Sequence, residues 1–132
     1  MGCNVLIVDD SQAVRDLVAL ALEQGGLAIN RLLFAANGAE ALELARHHWI
    51  DVIITDVIMP EMDGASLVEH LKADVALRQI PVVVISGDGS QDNQQRLGAL
   101  GIKAFVVKPF TALTLCETVL KVMRGRPVAP EN

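Results

Sequence analysis

Asn4-Val5-Leu6-Ile7-Val8-Asp9-Asp10-Ser11 is the stretch that decides the fold. After Asn4 the residues to Val8 form one short apolar run without polar alternation, as expected of a strand buried on both faces. Two aspartates and a serine end it abruptly. Ser11 stands at an N-cap position. Val14, Leu17, Val18 and Ala21 then recur at helical spacing until Gly25-Gly26, where a helix should stop. A fully buried strand that feeds directly into a helix is the beginning of a parallel sheet covered by helices.

The same grammar repeats outward. Residues 32–35 read as a second strand, followed by Asn37-Gly38 and an Ala- and Glu-rich helix to His47, while residues 27–31 fit neither pattern. Residues 51–55 form a third, β-branched strand that ends at Asp56, before a Met59-Pro60 turn, Asp63-Gly64 and a helix carrying Leu67, Val68 and Leu71. Trp49 precedes this strand and should sit near the opposite end of the sheet. A fourth strand spans 81–85 and closes in Ser86-Gly87-Asp88-Gly89, and a fifth spans 104–107 and closes in Lys108-Pro109. A polar helix around 93–100 lies between them. The last helix, 111–124, is read with Leu113, Cys116, Leu120 and Met123 on one face. Residues 1–124 are expected to form one domain, and 125–132, with two prolines and no periodicity, a flexible tail or a cut linker. Strand and helix alternate five times, so the fold class is α/β, a doubly wound parallel sheet with helices on both faces.

Composition agrees with one such domain. The 132 residues are 52% hydrophobic and 20% charged, enough to bury a core. A net charge of -5 argues against nucleic acid as a partner, since phosphate backbones demand clustered cations. Cys3 and Cys116 are too few to staple the domain and are not spaced as zinc ligands, which fits reduced thiols in a cytoplasm. No apolar run has the length of a membrane span, and no signal-peptide pattern opens the chain.

In doubly wound sheets, ligands bind outside the carboxyl ends of the strands. Asp9 and Asp10 end the first strand, Asp56 the third, Ser86 the fourth and Lys108 the fifth. Singly, each has an ordinary explanation as a cap, a turn or a solvated charge. Together they place three carboxylates, a hydroxyl and an ammonium on one edge. Carboxylates so gathered repel one another and call for a hard cation, and magnesium suits a shallow acidic cleft that meets phosphate oxygens. With that charge neutralised, one carboxylate can attack phosphorus, and Asp56, at the end of the central apolar strand, has the best claim. Lys108 and Ser86 can meet the transferred oxygens, and Gly87 leaves room for the group to enter.

Asp9-Asp10-Ser11, Asp56-Val57-Ile58-Met59-Pro60, Asp63-Gly64, Ser86-Gly87 and Lys108-Pro109-Phe110 resemble, in order, placement and spacing, a response-regulator receiver domain of two-component signalling. The resemblance runs from Asn4 to about Arg124 and includes stand-alone chemotaxis-type regulators. It implies a flavodoxin-like sheet of strand order 2-1-3-4-5, with Asp56 as phosphoacceptor and Asp9, Asp10, Asp56 and the main-chain carbonyl of Ile58 around magnesium. It further implies Lys108 on the phosphoryl group, a cis Lys108-Pro109 bond, and Ser86 with Phe105 as a switch pair. The phosphodonor would be a histidine kinase or a histidine phosphotransfer protein. A downstream protein would read the face made by the helix before the last strand, that strand and the last helix. Such a protein catalyses only its own phosphorylation and dephosphorylation. Ile58 and Asp88, two positions beyond Asp56 and Ser86, are the positions expected to tune the phosphoryl lifetime. The alternative is a receiver-like interaction module that is never phosphorylated. A dinucleotide binder is disfavoured because two aspartates stand where a pyrophosphate needs a glycine-rich turn.

Overall fold

The structure, a computed structural model, describes residues 2–56, 64–87, 95, 97–102 and 104–124, with Gly64 and Ser86 described by their main chain. Its strands are β1 (Cys3–Val8), β2 (Ile29–Ala35), β3 (Val52–Asp56), β4 (Val82–Ser86) and β5 (Ala104–Val107). They form one parallel sheet in the order β2-β1-β3-β4-β5. The helices are α1 (Gln12–Gln24), α2 (Gly38–His47), α3 (Gly64–Ala73) and α4 (Ala112–Met123), and residues 97–99 are also helical.

Period-two strand geometry divides the apolar side chains between two cores. Val5, Ile7, Val52, Ile54, Val83 and Ile85 face α1 and α4, where Leu22, Leu115 and Val119 meet them. Leu6, Val8, Ile53 and Val84 face α2 and α3, against Leu42, Leu67 and Leu71. Each fully buried Leu or Ile contributes roughly 1.5–3 kcal/mol relative to exposure. The continuous apolar runs in the sequence are the direct result of this two-sided burial.

Local chemistry fixes the helix ends. The Ser11 hydroxyl accepts from the Val14 amide at 3.3 Å, the Asn37 carboxamide oxygen from Glu40 at 2.9 Å, and the Thr111 hydroxyl from Thr114 at 3.0 Å. At the end of α1, Leu27 N donates to Leu22 O and Gly26 N to Glu23 O, with Gly26 at φ 85°. Ile102 and Gly101 close the helix at 97–99 in the same way, on Leu97 O and Gly98 O, with Gly101 at φ 93°. Both are closures that need a left-handed residue, hence glycine.

Three sequence expectations require correction or completion. The ambiguous residues 27–31 resolve into the Schellman turn at Leu27 and an early start of β2 at Ile29. The pairing steps from Cys3–Ile29 to Asn4–Arg31, so Asn30 is an extra residue in the ladder, and its carboxamide donates to Asn4 Oδ1 at 3.0 Å. Leu17, read as part of the apolar face of α1, is 55% exposed; the inward stripe is Val18, Ala21 and Leu22. On α4 the buried residues are Leu115, Cys116 and Val119, while Leu113 and Leu120 are exposed, because they flank that stripe, roughly a quarter-turn around the helix from its centre. Trp49 lies where expected, at the start of β3, its indole N–H donating to Asp51 Oδ1 at 2.9 Å. The expected turn at 57–63, residues 93, 94 and 96 of the helix expected at 93–100, and the tail at 125–132 lie outside the described residues. No described helix is long and apolar enough to cross a membrane.

Candidate functional site

The strand order decides which polar side chains become neighbours. β3 is the middle strand, with β1 on one side and β4 on the other. Val8 pairs with Thr55, so Asp9 follows beside Asp56, and Asp56 itself pairs with Ile85, so Ser86 follows on the other side. Ser86 pairs in turn with Val107, which puts Lys108 just past the end of β5. The expected set therefore occupies one carboxyl edge of the sheet.

Within that edge, Asp56 and Lys108 form an ion pair, Nζ to Oδ2 at 3.5 Å, with both side chains partly shielded. The Lys108–Pro109 peptide bond is cis, as expected. Asp9 is only 4% exposed; apart from Thr55 no other buried polar or charged residue occurs among the described residues. Its Oδ1 accepts from the Ser11 amide at 2.9 Å, and its own amide donates to Ala35 O at 3.1 Å. Its carboxyl is pushed up to about 6. Burial is the largest cause, opposed by the Ser11 amide; the Asp56 charge and a hydrogen bond with the Asp10 side chain raise it further, and Lys108 lowers it. Asp10, next in the chain, is exposed.

Two contributors were not legible beforehand. Arg15 donates from Nη1 to the Asp9 carbonyl at 2.6 Å, tying the first turn of α1 to the acidic loop. Thr55, fully buried, donates its hydroxyl to the Asp56 carbonyl at 2.9 Å. An arginine in the first helical turn, where cations are unfavourable, was the available signal for the former.

Among the described residues no group of three or more His, Cys, Asp or Glu side chains is gathered tightly enough to cage a metal. Magnesium takes one or two carboxylates and keeps several waters. The buried Asp9 carboxyl, whose charge is disfavoured where it stands, is a donor that such a cation would relieve. Ile58 and Asp88 lie outside the described residues, as does the Ser86 side chain. Among the described residues nothing approaches within 4 Å of the place a Cβ on Gly87 would take. Phe105 pairs with Val84, two positions before Ser86, and is half-buried against the core under α2 and α3.

A family model described as the response regulator receiver domain matches residues 5–120. The chain belongs to the receiver domain family. It is 33% identical over 119 residues to chemotaxis protein CheY-3 of Vibrio cholerae, a match covering 90% of each chain. It is likewise 33% identical to the polar-differentiation response regulator DivK of Brucella anthropi, over 90% of this chain and 94% of that one. The solved structure of Vibrio cholerae CheY4 superposes with a TM-score of 0.82 at 34% identity, covering 92% of this receiver and 99% of that chain. As a receiver domain of this type, the protein is a module of two-component signal transduction.

Proposed function

We propose that this receiver takes a phosphoryl group on Asp56 from a histidine kinase or a histidine phosphotransfer protein. The observation that carries the reading is the position of the Asp56 carboxylate, at the end of the central strand, 3.5 Å from the Lys108 ammonium and next in register to the buried Asp9. In the step, an Asp56 oxygen attacks phosphorus, the phosphorus–nitrogen bond to the donor imidazole breaks with its electron pair leaving on nitrogen, and an acyl phosphate forms. Lys108 faces the transferred oxygens and stabilises their charge, and Ser86 contributes a hydroxyl to another of them. Asp9, Asp10, Asp56 and the Ile58 carbonyl would hold magnesium, which supplies further neutralisation of phosphoryl charge. Arg15 and the Ser11 amide hold Asp9 in place.

The acyl phosphate is lost when water attacks phosphorus, and Ile58 and Asp88 are proposed to set its lifetime: Ile58 cannot hydrogen-bond a water, and Asp88 can orient one while repelling the phosphoryl charge. The chain acts only on its own phosphoryl group. The new contacts at Ser86 bias Phe105, and with it the face formed by residues 97–99, β5 and α4, where a downstream protein binds. The setting proposed is the cytoplasm, where Cys3 and Cys116, both free, stay reduced.

Incubation with acetyl phosphate and magnesium tests the reading. The wild-type chain should gain one phosphoryl group by intact mass, and Asp56→Asn none. Equal incorporation in the variant places the acceptor elsewhere, and no incorporation in either supports the unphosphorylated interaction module.

A further inference from the structure

The receiver has a second concave site, at the end of the sheet away from Asp56. A cavity of about 790 Å³ opens where β4 and β5 begin, with the buried Val82 and Ile102 and the half-buried ring of Phe105 among its apolar lining. Four exposed cations line the same hollow: Lys72 and Arg78, from the end of α3 and the turn after it, and Lys121 and Arg124, from the end of α4. Among the described lining residues none is acidic, and no ion pair among the described residues engages any of the four. Lys72 donates a hydrogen bond to the Arg78 carbonyl at 3.2 Å.

Helix C-termini favour cations, which accounts for Lys72 and Lys121 in the last turns of α3 and α4. It does not account for Arg78, which follows α3 by five positions. Nor does it explain why a chain of net charge -5 should gather four cations around one hollow. No carboxylate among the described residues pairs with them, and an anion held among them would be favoured. The volume falls within the range of small-molecule sites, and the mixture of an apolar floor, an aromatic ring and a cationic rim selects the class. Guanidinium groups grip phosphate oxygens in pairs, and an aromatic face accepts a flat ring.

We propose that this cavity binds a small organic phosphate with a flat, weakly polar portion, the chemistry of a nucleoside triphosphate. The phosphates lie between the Lys72–Arg78 and Lys121–Arg124 sides, and the ring system lies on the floor beside Phe105. The site does not depend on the assignment of Asp56.

Titration calorimetry of the full chain in EDTA, with ATP, GTP and CTP as probes and inorganic tripolyphosphate as control, tests the proposal. At least one nucleotide should saturate the protein below about 1 mM. Arg78→Ala and Arg124→Ala, both at exposed positions and with no side-chain hydrogen bond or ion pair among the described residues, should each weaken that binding roughly tenfold, in line with loss of a hydrogen bond to a charged group. Asp56→Asn should bind as the wild type does, which separates this site from the phosphorylation reading. The proposal is overturned if no nucleotide saturates at about 1 mM, if both arginine variants bind unchanged, or if tripolyphosphate binds as tightly as the best nucleotide.

Discussion

Lys108 reaches Asp56 across an intervening strand: the two residues end β5 and β3, β4 lies between them, and the ammonium still comes within 3.5 Å of the carboxylate. In the resting domain the lysine thus already occupies the neighbourhood in which phosphoryl oxygens would develop charge. Loss of one such donor costs roughly 10²–10³ in rate in other acyl- and phosphoryl-transfer sites. Lys108→Ala should therefore slow phosphorylation by acetyl phosphate about 100-fold. Removing a cation from an acidic edge should leave magnesium affinity intact or tighten it. Rates from intact mass and affinity from calorimetry give the two readouts, and an unchanged rate would show that Lys108 is only an ion-pair partner.

The carboxyl edge was legible from sequence because β1, β3, β4 and β5 each run from an apolar stretch directly into a polar residue, and parallel strands align those ends automatically. Asp9, Asp56, Ser86 and Lys108 needed only the strand order to become neighbours. The helix faces were harder. Leu17, Leu113 and Leu120 are as apolar as the residues that point inward, and composition alone does not say which stripe meets the sheet. The Asn30 bulge was hidden because β2 is an edge strand, mostly half-buried or exposed, whose side chains carry little alternation. The tie from Arg15 to the Asp9 carbonyl left one signal, a cation in the first turn of α1, but its main-chain acceptor leaves no signature in residue type.

The contact between the ends of α1 and the start of α4 offers a test of packing. A Cβ on Gly25 would overlap Cys116 Sγ and stand 2.9 Å from the Ala112 carbonyl oxygen. Gly25→Ala should lower stability by about 1–3 kcal/mol, the usual range for overpacking, read as a fall in the urea midpoint at constant slope. Cys116→Ala in the same chain should recover part of that loss, with a coupling of at least about 0.5 kcal/mol. Recovery should be incomplete because the Ala112 carbonyl remains. Strict additivity of the two substitutions would mean that the helices simply move apart.

Phe105 sits beside Val84 on adjacent strands, two positions before Ser86, so a shift at the hydroxyl has a short path to the ring. Beryllofluoride with magnesium should therefore change amide exchange at 104–107 and 97–102 by several-fold while leaving β1 and β2 unaffected. Phe105→Ala should abolish the difference at 97–102 without reducing labelling of Asp56. Identical exchange with and without beryllofluoride would place the output on another face.

The buried Asp9 carboxyl gives the apo protein a distinctive pH dependence. Its folded-state value of about 6 lies above the ordinary 3.8, so the folded chain holds this proton more tightly than the unfolded one. The associated stability is fully present below about pH 4 and is lost as pH rises through about 6. A shift of roughly two units corresponds to about 3 kcal/mol, which the metal-free protein should lose between pH 4 and 7 at this residue. Asp9→Asn retains an acceptor for the Ser11 amide but cannot ionise, so its stability should vary less across that window. Magnesium should restore the wild type at pH 7, by about 2.7 kcal/mol at one hundred times its dissociation constant, and should restore Asp9→Asn far less. Urea unfolding in EDTA at pH 4.5 and 7, repeated with magnesium at pH 7, supplies all the comparisons. A wild-type profile that runs parallel to that of Asp9→Asn would show that Asp9 is already charged in the folded apo protein.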